Sequence, residues 1–227
     1  MKLLAIDTSG AACSAALRIN DRVLHRFERA PRRHGELILS MADALLREAD
    51  LRPAALDALA FGRGPGAFTG LRIAAAVTQG IALGAGLPVV GISTLAALAQ
   101  GAARRHGAGR VLAAFDARMD EVYWGAYAAD EAGLMRPLID DQVCGPDSAP
   151  VPPEGGWYGV GSGWGAYRAA LACRAGEGLI GEDAGLACDA WDVATLAADA
   201  LARGEGGGPE SAVPLYLRNR VTATPRT

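Results

Sequence analysis

The residues best placed to do chemistry are two aspartates, Asp7 and Asp116, which close strongly apolar runs at 3–6 and 111–115. A carboxylate at the end of a buried strand can hold a divalent cation, or its water shell, beside a bound phosphate. Either aspartate can equally cap the turn that follows it. A second candidate is Gly161-Ser162-Gly163-Trp164-Gly165-Ala166, which matches GxGxxA after an apolar strand, with Glu182 about twenty residues on. It sits late in the chain and lacks the βαβ unit that would make the pattern specific. A third is Gly62-Arg63-Gly64-Pro65-Gly66-Ala67-Phe68-Thr69-Gly70-Leu71-Arg72, whose glycines could cradle a phosphate at a helix N-terminus. Without a Gly-Lys-Ser/Thr ending it is not a P-loop.

Nucleophiles and metal ligands are not arranged for catalysis. One turn after His34 comes Ile38, not a second histidine, and Cys13, Cys144, Cys173 and Cys188 form no CxxC pair. Ser9, Ser14 and Ser93 have no nearby histidine, and no GxSxG elbow exists. The chain holds no convincing catalytic constellation, and metal chemistry of its own is not expected.

The elements that must position these residues are those of a folded α/β chain. Its 227 residues, 51% hydrophobic and 21% charged, fill one large domain or two small ones. A net charge of −3 and a pI near 5.6 argue against gripping nucleic acid through a broad basic surface. Arg26, Arg29, Arg32, Arg33 and His34, and again Arg218, Arg220 and Arg226, read as solvated basic loops. With no disulfide framework and no charged-then-apolar leader, the expected location is cytoplasmic. The run 73–92 is apolar enough to resemble a membrane span, but Thr78, Gln79, Gly84, Gly86 and Pro88 split it into helix, turn and strand.

Apolar patterning predicts antiparallel strands at 3–6, 13–19 and 23–27, then a helix over 34–49. On that helix Leu37, Met41 and Leu45 form one line and Leu39, Ala42, Leu46 and Ala49 another. The arc is wider than a one-sided stripe, so one side can face a sheet and another something else. A strand at 57–62, the glycine-rich turn, a helix over 68–85, a strand at 88–91 and a helix over 93–105, with Ser93 and Thr94 as cap residues, follow. The order β-β-β-α-β-α-β-α is that of a ribonuclease-H-like lobe. Four-residue spacing places Ala76, Gly80 and Gly84 on one ridge, fit either for burial under its own sheet or for close approach of a partner helix. The opening then repeats, since 111–115 ends in Asp116 and 121–128 alternates. Two similar lobes are expected, 1–104 and 105–227. The second is reduced: 137–156 is loop-like, 157–160 a strand and 192–202 a helix. The glycine run 204–208 leads to a terminal segment, 214–218, that packs back on the body.

Ala5-Ile6-Asp7-Thr8-Ser9, the Gly62 to Arg72 motif, Asp116-Ala117-Arg118 with Glu121-Val122-Tyr123, and Tyr216-Leu217-Arg218 together resemble the TsaB (YeaZ) family. Its members are bacterial accessory subunits in the synthesis of threonylcarbamoyl adenosine in tRNA. The likeness spans almost the whole chain, with Ala67 where the family mostly has Ser. It implies a two-lobed actin-like ATPase (ribonuclease-H-like) fold that has lost catalysis and serves a catalytic paralogue, TsaD, whose His-x-x-x-His metal pair is reduced here to His34. It further implies a partner interface on the two first-lobe helices, at His34, Leu37, Met41, Leu45, Phe68, Thr69, Arg72, Ala76 and Gly80. Asp7, Thr8, Ser9 and Asp116 would be a vestigial nucleotide cleft. The partners implied are a TsaD-like catalytic subunit and a TsaE-like ATPase, which would carry the ATP and metal, so that this chain needs no cofactor of its own. tRNA would be met only through the complex, no membrane is involved, and the chain alone would be a homodimer. The alternative is an independent enzyme, either a kinase-like nucleotide-binding phosphotransferase or a hydrolase such as a peptidase.

Overall fold

A computed structural model of the chain describes residues 1–218; Arg220 and Arg226 of the second basic cluster lie outside the described residues. The first sheet is built from β1 (Lys2–Asp7), β2 (Ala12–Ile19), β3 (Arg22–Arg29), β4 (Ala58–Gly64) and β5 (Val89–Ser93), in the order β3-β2-β1-β4-β5. Leu3, Leu4, Ala5 and Ile6 on β1 are all fully buried, because helices cover both faces of the central strands. At the edge, β3 carries Arg22, Arg26 and Arg29 into solvent, which discourages further strand pairing. One face is covered by α1 (His34–Glu48) and α2 (Phe68–Ala85), whose Ile38, Ala42, Leu45, Ala74, Ala75 and Ala82 close over Leu4, Ile6, Leu59 and Phe61.

The second sheet repeats the first. It consists of β6 (Arg110–Arg118), β7 (Glu121–Ala129), β8 (Met135–Pro137), β10 (Trp157–Val160) and β11 (Leu179–Asp183), ordered β11-β10-β6-β7-β8, with β9 (Gln142–Cys144) pairing on β7. With β9 set aside and the strands numbered within each lobe, both sheets run third, second, first, fourth, fifth strand. Helix α4 (Ser162–Ala175) links β10 to β11 as α2 links β4 to β5. The reduction of the second lobe is therefore one helix: where α1 stands in the first lobe, the second has a single 3-10 turn, Pro146–Ser148. These are the two similar lobes expected from the repeat, in the actin-like arrangement that the resemblance implies.

Three sequence readings need correction. The stretch 137–156, read as loop, contains β9, whose three residues are too few to show alternation. Helix α4 and strand β11 were not foreseen, because α4 is rich in Ala and Gly and buries only Gly163, Trp164, Leu171 and Ala175, a sparse apolar signal. The division into 1–104 and 105–227 does not follow the packing. Helix α3 (Thr94–His106) packs Leu95, Leu98, Ala99 and Ala102 against Val111, Ala113, Tyr127 and Val160 of the second lobe. Helix α5 (Ala190–Ala202) returns to the first, burying Val193, Ala194 and Ala197 against Leu3, Ala5, Ala58 and Ala60. Each lobe thus supplies a helix to the other.

Helix α2 is the one helix among the described residues long and apolar enough to cross a membrane by length and composition, yet its Leu71, Ala74, Ala75, Thr78 and Ala82 are buried within this fold. Its glycines divide by side. A Cβ on Gly70 would fall well inside 3.0 Å of the Thr8 carbonyl oxygen, whereas Gly80 and Gly84 have nothing within 4 Å. Gly70→Ala is expected to cost roughly 1–3 kcal/mol or more through overpacking. Gly80→Ala should stabilise by about 0.5–1 kcal/mol, since Ala loses less backbone entropy in a helix. Urea unfolding of both variants checks the pair of signs.

Candidate functional site

The glycine-rich turn between β4 and α2 is folded against the chain itself. A Cβ on Gly66 would sit 2.5 Å from the Ser9 carbonyl oxygen, and one on Gly64 would sit 2.5 Å from that of Leu215. The Ala67 N–H donates to the Ser9 carbonyl at 2.7 Å, and the Thr8 hydroxyl donates to the Gly70 carbonyl at 2.7 Å. The space a phosphate cradle would need is occupied by the β1–β2 turn. The missing side chains serve close backbone approach.

Asp7 and Asp116 close equivalent strands and make the same local contact. Asp7 Oδ1 accepts from the Ser9 N–H at 3.2 Å and its hydroxyl at 3.0 Å; Asp116 Oδ1 accepts from the Arg118 N–H at 2.8 Å. Both are turn-capping carboxylates. Asp7 is 1% exposed, with Oδ2 unpartnered and packed against Gly62, where a Cβ would collide with it. Burial pushes its carboxyl up to about 6, partly opposed by the Cys188 thiol and by Ser9. Asp116 instead pairs with the Arg118 guanidinium at 2.9 Å, and its N–H donates to Ser162 Oγ at 3.1 Å. Thr8 and Ser9 are buried as well. One carboxylate is sealed in and the other is neutralised by its neighbour, so neither is presented to a metal–phosphate group. Among the described residues no group of three or more metal-ligating side chains occurs.

At Gly161 to Ala166 the βαβ unit that the sequence reading missed is present, with β10 and β11 parallel on either side of α4. The glycines have a packing use there. Gly161, at φ +98°, and Gly163 lie where a Cβ would strike Ala114, and the Trp164 indole N–H donates to the Leu112 carbonyl at 2.9 Å. The first turn of α4 therefore sits directly on β6. Glu182, the expected ribose contact, pairs with Arg168 at 2.5 Å.

The two first-lobe helices do present a surface, but not through every residue expected. Leu45 is fully buried and His34 is only 9% exposed, because His34, Ile38, Ala42 and Leu45 form the stripe facing the sheet. Both are interior residues, which corrects their assignment to the interface. Leu37 and Met41 are half-buried against the first-lobe core, and a Cβ on Gly35 would come 4.0 Å from Ile73 Cδ1 of α2. On α2, Thr69, Arg72, Ala76 and Gly80 are exposed, and Phe68 is 49% exposed. Arg72 lies 3.8 Å over the Phe68 ring and donates to the Tyr216 hydroxyl at 3.0 Å. Sequence reasoning missed Leu83, 74% exposed, and Leu39, 53% exposed. An apolar residue next to the small-residue ridge was the available signal for Leu83.

Because the Asp7 carboxyl is raised from 3.8 to about 6, the folded state alone keeps its proton between those values. The folded chain then binds more protons than the unfolded one, so stability falls as pH rises through this window and is level above it. The loss should be roughly 1–3 kcal/mol. Urea unfolding from pH 4 to 7 should show this slope in the wild type and a shallower one in Asp7→Asn, where the Asp141 and Asp192 carboxyls, also raised by burial, still contribute.

The family model described as TsaD: tRNA N6-adenosine threonylcarbamoyltransferase matches residues 27–153. The tRNA threonylcarbamoyladenosine biosynthesis protein TsaB of Escherichia coli (strain K12) is 42% identical, over 97% of this chain and 96% of that protein. The protein of the same name from Haemophilus influenzae is 40% identical, over 98% and 95%. The solved structure of YeaZ from Pseudomonas aeruginosa matches with a TM-score of 0.88 at 46% identity, covering 95% of this chain and 99% of that one. Similarity at this level, over nearly the whole length of this chain and of its relatives, shows the family: the chain belongs to the TsaB (YeaZ) family.

Proposed function

We propose that this chain acts in the biosynthesis of threonylcarbamoyladenosine in tRNA as a non-catalytic subunit. It binds a TsaD-like catalytic subunit through α2 and the adjoining edge of α1. A TsaE-like ATPase joins that assembly, ATP and metal belong to these partners, and tRNA is met only through the complex, in the cytoplasm. The observation that carries the reading is the outer face of α2. Ala76, Gly80 and Gly84 form an open ridge flanked by Leu83, an apolar face on a folded chain that nothing within the described residues covers, with Phe68 at its start partly covered by Arg72 and Tyr216. Small residues on such a ridge let a second helix backbone come close. The sealed Asp7 and the Arg118-paired Asp116 support the absence of catalysis, since a transferase needs open groups to position nucleotide and metal.

Without its partner, the same face pairs two copies of the chain, and the catalytic subunit competes that homodimer away. Light scattering on the chain alone and on its mixture with the TsaD-like subunit of the same organism tests both statements. Gly80→Leu should leave the melting temperature of the isolated chain unchanged or raised, because its side chain enters open space. The same change should abolish both the homodimer and the mixed complex by holding the helices apart. A Gly80→Leu chain that still dimerises and still supports the transferase would place the interface elsewhere.

A further inference from the structure

A pocket of about 400 Å³ opens between the lobes, away from Asp7, Asp116 and the outer face of α2. The first lobe contributes Arg63, Ile92 and Ser93, the second Tyr127, Arg136 and Asp141. Helix α5 and the returning C-terminal segment close it with Leu196, Arg203, Leu215 and Leu217. Its volume is toward the small end of the roughly 300–1,000 Å³ usual for small-molecule sites. The walls combine an apolar floor with a few convergent polar groups.

The charges in this pocket are unequally satisfied. Asp141 accepts from the Ser93 hydroxyl at 2.5 Å and from the Tyr127 hydroxyl, and burial raises its carboxyl. Arg136 is committed through Nε to Asp130 at 2.7 Å and through another nitrogen to Asp199 at 2.6 Å. Arg203 is likewise committed to Asp199 and, at 2.8 Å, to Glu205. Each of these two guanidinium groups keeps one NH2 unused by those bonds. Arg63 makes no hydrogen bond or ion pair with a carboxylate among the described residues, though Asp141 lies near enough to feel its charge, and its side chain is positioned. A Cβ on Gly91 would press on the Arg63 Cδ at 3.0 Å and its Cβ at 3.2 Å, so the arginine stem is laid across β5 in the groove that glycine leaves. Its backbone is fixed too, since the Arg63 carbonyl accepts from the Leu215 N–H at 2.7 Å. The pocket's carboxylates are largely occupied by internal donors, Asp140 on the rim being the exception, while a set of guanidinium donors remains available.

We propose that this interlobe pocket binds a small organic anion, a carboxylate or phosphate ester whose charged end meets Arg63 and whose apolar body lies on Ile92, Leu196 and Leu215. Such a ligand would touch both lobes and the C-terminal segment at once. Guanidinium groups suit both anions, because their planar fork matches carboxylate and phosphate oxygens alike.

The test uses the full chain with three probes: butyrate, phenyl phosphate and inorganic phosphate. Each is titrated by isothermal calorimetry, with the melting temperature followed in parallel. Saturable binding of butyrate or phenyl phosphate is expected, tighter than that of inorganic phosphate, which lacks the apolar body; the stronger of the two identifies the head group. Arg63→Gln should weaken binding about tenfold or more, the loss of one charge-assisted contact. Arg63→Lys should restore part of it. Both variants change an exposed side chain, and their probe-free melting temperatures check that the fold is kept. The proposal fails if neither organic probe binds at tens of millimolar, or if Arg63→Gln binds as tightly as the wild type.

Discussion

The carbonyl oxygens of Thr8 and Ser9 fill the volume that side chains at Gly70 and Gly66 would need, and the orientation of the first lobe's helices depends on that contact. Strand β4 runs parallel to β1 and leaves the sheet beside the β1–β2 turn, so the chain must start α2 within touching distance of another backbone. Only glycine permits this, and the Ala67 N–H bond to Ser9 then fixes where the helix begins. Once its start is fixed, the 3.6-residue period decides the rest. Leu71, Ala74, Ala75, Thr78 and Ala82 turn inward, and Ala76 and Gly80 turn out.

The lobes are joined by reciprocal packing. Helix α3 covers part of the second sheet and α5 the back of the first, and a polar clamp between them fixes their relative position. Arg104 grips Asp192 with two nitrogens at 2.9 and 2.8 Å, and Asp189 takes Arg105 at 3.2 Å and His25 at 2.7 Å. Ser14 on β2 accepts from the N–H of Ala190 at the start of α5. Burying Asp189 and Asp192 carries a desolvation penalty that the arginine and histidine contacts offset, so the clamp contributes more to orientation than to net stability. On the other side, Arg218 bonds Glu121 and the Arg118 carbonyl, tying the C-terminal segment to the second lobe after Leu215 has bonded the first.

In this framework, groups suggestive of chemistry serve as structure. Asp7 and Asp116 cap their turns, the glycines at 64–70 and 161–163 admit neighbouring backbone, and His34 lies inside the first lobe with Nε2 unpartnered. Among the described residues a helix face and an interlobe pocket are left open, both suited to binding. A carboxylate near pH 6 inside a fold is often a sign of a working site. For Asp7 the cause is burial, with Oδ2 packed against Gly62 and no opening for a substrate.

The sequence by itself determined most of the elements and their order, because apolar period and turn chemistry are local. The runs at 3–6 and 111–115 marked the two central strands, the small-residue spacing marked the α2 ridge, and Ser93 marked the start of α3, where its hydroxyl does accept from the Ala96 N–H. It left open whether the ridge faced inward or outward. It also misassigned Leu45 and His34, since an over-wide apolar arc shows that two sides are used but not which is which. Helix α4 was illegible because Gly and Ala carry little periodic signal. The exchange of α3 and α5, the sealing of Asp7 by Gly62 and Cys188, and the gathering of Arg63, Ser93, Tyr127 and Asp141 around one pocket were decided only by tertiary structure. Each joins residues far apart in the chain, and no local propensity encodes which distant surface an apolar face or an unpaired charge will meet.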